Sequence, residues 1–84
     1  MVHILEVIDK TGRSIYLPIK QWSHIIRRHP NISNYIEEIK ETLKNPLKIT
    51  SYSLDKDVKY YYSYLKNKNP PKYLLVIVTE NLIN

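Results

Sequence analysis

Apolar and polar positions follow two rhythms along the chain. Residues 3–8, HILEVI, are apolar and rich in β-branched side chains, which predicts a strand. The polar stretch DKTGR follows and contains Gly12, the single glycine of the chain. Glycine accepts positive φ without steric cost, so a hairpin turn belongs there and residues 14–17, SIYL, form a second strand. From Pro18 to about His29 the rhythm is helical. Ile19, Trp22, Ile25, Ile26 and His29 recur at three- and four-residue spacing and build one face. Pro18 suits a first helical turn, and Pro30 disfavours helical geometry at His29.

A second helix begins near Ser33 or Asn34, with Ile32, Tyr35, Ile36, Ile39 and Leu43 as its apolar stripe. Asn34 and Glu37 have capping-box spacing, and the early Glu and late Lys residues suit the helix dipole. Asn45 and Pro46 end it. The remainder reads as strands. Residues 47–53 alternate loosely, and LDKD is a polar turn. Residues 58–65, VKYYYSYL, put Val58, Tyr60, Tyr62 and Tyr64 on one face and Lys59, Tyr61, Ser63 and Leu65 on the other. KNKNPP is a loop, and YLLVIVTE, residues 73–80, is apolar on both faces, as a central strand is. The order ββααβββ predicts one α+β domain over residues 1–84, its two helices packed on an antiparallel sheet.

Charge adds a direction to this pattern. Thirteen Lys and Arg against eight Asp and Glu leave a net charge of +5, which favours anionic partners, nucleic acid foremost. The chain has no cysteine, which excludes disulfides and thiolate metal sites. No apolar run is long enough to span a bilayer, and the first residues lack the features of a signal peptide. The expectation is a cytoplasmic protein with no membrane partner.

The stretch QWSHIIRRHP carries the densest candidate chemistry. At about 100° per residue, Trp22, Ile25, Ile26 and His29 share a face, and His24 lies about 200° from Trp22. Lys20, His24, Arg27 and Arg28 therefore form a patch opposite the packing face. A neutral imidazole at His24 can take a proton from a hydroxyl as general base, while Arg27, Arg28 and Lys20 stabilise a phosphate under attack. Those are the minimum needs of metal-free RNA cleavage through the ribose 2′-OH. A Tyr hydroxyl or His29 would protonate the leaving oxygen. Helix-end cations also favour the dipole without any substrate, and Trp22 belongs to the core by its spacing.

Other chemistries find less support. His24 and His29 lie about 140° apart on a helix and do not readily share one metal ion. Asp55 and Asp57 lack the further ligands of a calcium loop, and one glycine cannot build a phosphate loop. No metal or cofactor is expected. Among the tyrosines, Tyr60 and Tyr62 fit cross-strand packing, whereas Tyr61 and Tyr64 are open to either a packing or a surface role. Exposed tyrosines beside Lys59, Lys66 and Lys68 could stack bases.

Taken in order, the N-terminal hairpin, Trp-x-His-Ile in a helix, His-Pro, a second helix ending TLKNP, the YYY strand and the YLLVIV strand form a pattern. It resembles the phage-associated branch of the barnase–EndoU–colicin–RelE-like superfamily over nearly the whole chain. The resemblance implies a RelE- or barnase-like fold and a metal-independent ribonuclease of toxin or mobile-element effector type, with RNA as substrate and an antitoxin or other protein as partner. It selects Trp22, His24, His29 and Pro30 from the helix motif and Tyr61 or Tyr62 from the tyrosine strand. The last strand offers only Lys72, Thr79 and Glu80 as polar groups. The expected catalytic set is thus His24, Arg28, His29 and Tyr61, and the expected substrate-binding set is Lys20, Arg27, Tyr62, Lys72 and Thr79. The alternative is a non-catalytic RNA- or protein-binding domain of the same fold.

Overall fold

The computed structural model of the protein describes residues 3–66, 68 and 71–83. The expected hairpin opens the chain: strand β1 (His3–Ile8) pairs antiparallel with β2 (Ser14–Pro18). Gly12 sits in the turn with φ at 91°, a conformation that disfavours side chains. Asp9 organises that turn from inside. Its Oδ1 accepts the Thr11 N–H at 2.9 Å, the Thr11 hydroxyl at 2.7 Å and the Arg13 N–H at 2.9 Å.

Helix α1 (Ile19–Arg28) follows and buries Trp22, with Ile25 and Ile26 packed more shallowly against the core. It stops where Pro30 predicts. His29 leaves helical geometry at φ −134° while its N–H still donates to the Ile25 carbonyl at 2.8 Å. The next residues differ from the sequence expectation. Pro30–Asn34 form a short 3-10 helix, and helix α2 runs over Ile36–Lys44. Asn34 is therefore spent inside the 3-10 turn, and no side chain caps α2. The packed face of α2 is Ile39, Thr42 and Leu43, and the Thr42 hydroxyl donates to the Glu38 carbonyl at 2.7 Å.

Strand β3 (Lys48–Tyr52) pairs antiparallel with β4 (Asp55–Leu65), which pairs antiparallel with β5 (Lys72–Thr79). The polar turn narrows to Ser53 and Leu54, because β4 already begins at Asp55. The loop expected at residues 66–71 lies partly outside the described residues. A sixth strand, β6 (Leu82–Ile83), was not expected. Glu80 and Asn81, with φ of 52° and 72°, reverse the chain so that Thr79 faces Leu82. Strand β6 then pairs parallel with β2 through Tyr16 and Leu82. The sheet order is β1-β2-β6-β5-β4-β3, so the sheet is mixed rather than wholly antiparallel. Among the described residues the fold is α+β, with two α-helices, one 3-10 turn and six strands.

Side chains of one sheet face meet the helices. Leu5, Val7, Ile15, Leu17, Tyr61, Leu74, Val76, Val78 and Ile83 join Trp22, Ile39 and Leu43 in one core. The alternation expected for the tyrosine strand holds: Tyr61 faces the core, and Tyr60, Tyr62 and Tyr64 face the other way.

Candidate functional site

Helix α1 presents an unopposed cationic surface. Its sequence, IKQWSHIIRR, contains no carboxylate, and Lys20, His24, Arg27 and Arg28 are all exposed. Among the described residues the ion pairs are Lys40 with Glu37 and Lys68 with Glu38, and neither involves α1. Arg27 and Arg28 occupy the last turn, where the negative end of the helix dipole also favours them.

Where α1 ends, a cavity of about 740 Å³ opens between α1, the 3-10 turn, α2 and β5. Its walls are apolar and include Ile25, Ile32, Ile39, Leu65, Val76 and Ile83. Arg28, His29 and Lys72 also line it, along with Tyr35. The break at His29–Pro30 turns the chain across the end of α1, which brings His29 to this cavity. Lys72 arrives from the first position of β5. Tyr35 is held beneath a cation, with the Lys68 ammonium 4.6 Å from its ring centre. Lys68 is fixed in turn by Glu38 at 2.9 Å. That hydrogen bond is the main reason the Glu38 carboxyl is held below its ordinary range and the Lys68 ammonium above its own.

No protein-family model, curated protein or solved structure matches the chain.

The structure brings together part of the expected site. Arg28, His29 and Lys72 share one cavity. Lys20, His24 and Arg27 stand on the same helix outside its lining. Tyr61 requires a correction, since it is 1% exposed and its hydroxyl donates to the Asp9 carboxylate. Burial first, and the adjacent Asp9 carboxylate second, push the Tyr61 hydroxyl above its ordinary range. Enclosed and committed in this way, Tyr61 serves the fold and cannot hand a proton to a substrate. Tyr62 and Thr79 lie on the opposite face of the sheet from the core, away from the cavity lining.

Two groups escaped the sequence reading. Tyr35 fitted an apolar helical stripe, and only the 3-10 turn that precedes α2 takes it out of that stripe and to the cavity. The second is the open sheet face as a unit. Tyr64 and Tyr73 pair with ring centres 4.8 Å apart, Tyr52 and Tyr60 at 6.3 Å, and the Lys48 ammonium sits 4.8 Å from the Tyr62 ring. Tyr73 is 74% exposed and Leu75 47%. Triple tyrosine in one strand hinted at this surface, but its partners Tyr73 and Tyr52 come from neighbouring strands.

Chemically, the cavity offers an imidazole at His29, positive charge at Arg28 and Lys72, all three exposed to solvent, and apolar walls beside them. The sheet face offers π surfaces beside cations, the elements of base stacking. Among the described residues no three His, Asp or Glu side chains gather into a metal site, and no helix is long and apolar enough to cross a membrane.

Proposed function

We propose that the protein is a metal-independent endoribonuclease whose site is the cavity at the end of α1. The observation that carries this reading is the convergence of Arg28, His29 and Lys72 on one apolar-walled cavity. His29 accepts the proton of the ribose 2′-OH, whose oxygen attacks the adjacent phosphorus. The P–O5′ bond breaks, leaving a 2′,3′-cyclic phosphate and a 5′-hydroxyl. Arg28 and Lys72 offset the charge that builds on the phosphate. Tyr35 supplies the proton taken up by O5′. Lys20, His24 and Arg27 draw the RNA backbone along α1 and make binding salt-dependent.

The test is incubation with single-stranded RNA in EDTA, followed by analysis of the new ends. Cyclic phosphate ends are expected, with no cut at a position that carries a 2′-deoxy sugar. Cleavage at a deoxy position would overturn the mechanism.

The exposed tyrosine face favours a second reading, a domain that binds single-stranded RNA without cutting it. Salt-sensitive RNA binding by a wild-type protein that leaves RNA intact would select that reading.

A further inference from the structure

Strand β5 is paired along its whole length on one side only. On that side every position from Lys72 to Thr79 faces β4. On the other side β6 covers just Val78 and Thr79. The direction of the backbone groups follows from the neighbouring bonds. The Tyr62 carbonyl accepts from Leu47 on the β3 side, and the Asp57 carbonyl accepts from Glu80 on the β5 side. Alternation then turns Leu74 and Val76 toward β4, and Tyr73 and Leu75 toward the uncovered side. Among the described residues nothing accepts from or donates to the Tyr73 and Leu75 backbone groups there. This edge borders the cavity described above.

We infer that the uncovered edge of β5 accepts an extended acidic strand from a protein partner, laid antiparallel to β5 with apolar side chains in the cavity. A row of unpaired N–H and C=O groups is matched by another peptide backbone at alternate residues. A nucleic acid lacks that repeat, and the apolar floor of Ile25, Ile39 and Val76 calls for apolar side chains. Arg28 and Lys72 at the cavity, neither paired with a carboxylate among the described residues, call for acidic residues in the same strand. A six-residue strand covers about 20 Å, enough to run the length of the edge. The strand and an RNA substrate would share this cavity and the Arg28 and Lys72 cations, so bound peptide is expected to block RNA from the proposed site.

Amide hydrogen exchange tests it. In the free protein the Tyr73 and Leu75 amides exchange fast while those of Leu74 and Val76 are protected. A short synthetic peptide alternating valine and glutamate slows Tyr73 and Leu75 by on the order of tenfold or more, and one alternating valine and lysine does not. Arg28→Glu combined with Lys72→Glu reverses that preference. Protection of both amides in the free monomer would overturn the inference. Protection that rises with protein concentration alone would assign the edge to a second copy, and protection by an RNA oligonucleotide but not by the acidic peptide would assign it to nucleic acid. Either result also overturns it.

Discussion

The Tyr61 hydroxyl donates a hydrogen bond to the Asp9 carboxylate across 52 positions of the chain. It ties β4 to the turn between β1 and β2, and so closes the core beneath α2. Phenylalanine at position 61 fills the same space but leaves one Asp9 oxygen without its donor. Tyr61→Phe is expected to lose about 1–3 kcal/mol of stability in denaturant unfolding. Per folded molecule it keeps its activity toward RNA. Lost cleavage at unchanged stability would instead make Tyr61 a reacting group.

The same pair sets a pH window. Burial alone would raise the Asp9 carboxyl, but the hydrogen bonds from Tyr61, the Arg13 N–H and Thr11 outweigh it and hold the group below its ordinary value of 3.8. That contribution is present above the unfolded value and is lost as pH falls through the lower folded one. Tyr61 works in the opposite sense, with its hydroxyl raised above the ordinary 10.0. Its contribution is complete below that value and is lost as pH climbs past it, because the unfolded chain ionises first. Thermal unfolding should therefore show a stability plateau with an acid and an alkaline fall. Tyr61→Phe should remove the part of the alkaline fall that belongs to this residue.

Glu80 and Asn81 both hold positive φ in the two-residue turn between β5 and β6. A left-handed conformation costs an ordinary L-residue roughly 1–2 kcal/mol, and Asn-Gly is the favoured pair for such a turn. Replacing Glu80 with Asn and Asn81 with Gly should raise the midpoint of chemical unfolding. A lowered midpoint would show that the two side chains contribute contacts of their own.

On the open face, Tyr64 and Tyr73 are the most exposed aromatic pair. If bases stack there, truncating both to alanine weakens single-stranded RNA binding by about 1–3 kcal/mol for each base that loses its platform. Cleavage at saturating RNA should be spared. Titration by fluorescence anisotropy measures the first effect and single-turnover kinetics the second.

Local signals in the sequence were enough for the hairpin at Gly12, the end of α1 before Pro30 and the alternation of the tyrosine strand. Each depends on a steric rule acting within a few residues. Three features depended on contacts across the fold. Asp9 looks like any turn aspartate until Tyr61 arrives from β4. Alternation divides the tyrosines into two sets but does not say which set is buried. Pairing of Tyr61 with Val76, below α2, decides that. Strand β6 has two residues and no periodicity to read. Its turn lacks glycine, so nothing local announces it. The site shows the same division. The cationic face of α1 follows from spacing, whereas the shared cavity of His29 and Lys72 needs the 3-10 turn and the placement of β5.

His29 and His24 offer the most direct test of the proposed site, because they share one motif and only His29 lines the cavity. Single-turnover cleavage of RNA should be compared for His29→Ala and His24→Ala, with binding measured in parallel. The expected result is a loss of roughly 10²–10⁴-fold in cleavage for His29→Ala at near wild-type affinity. His24→Ala should cleave at close to the wild-type rate once RNA is saturating. Wild-type cleavage by His29→Ala, or a collapse confined to His24→Ala, would contradict a site in the cavity at the end of α1.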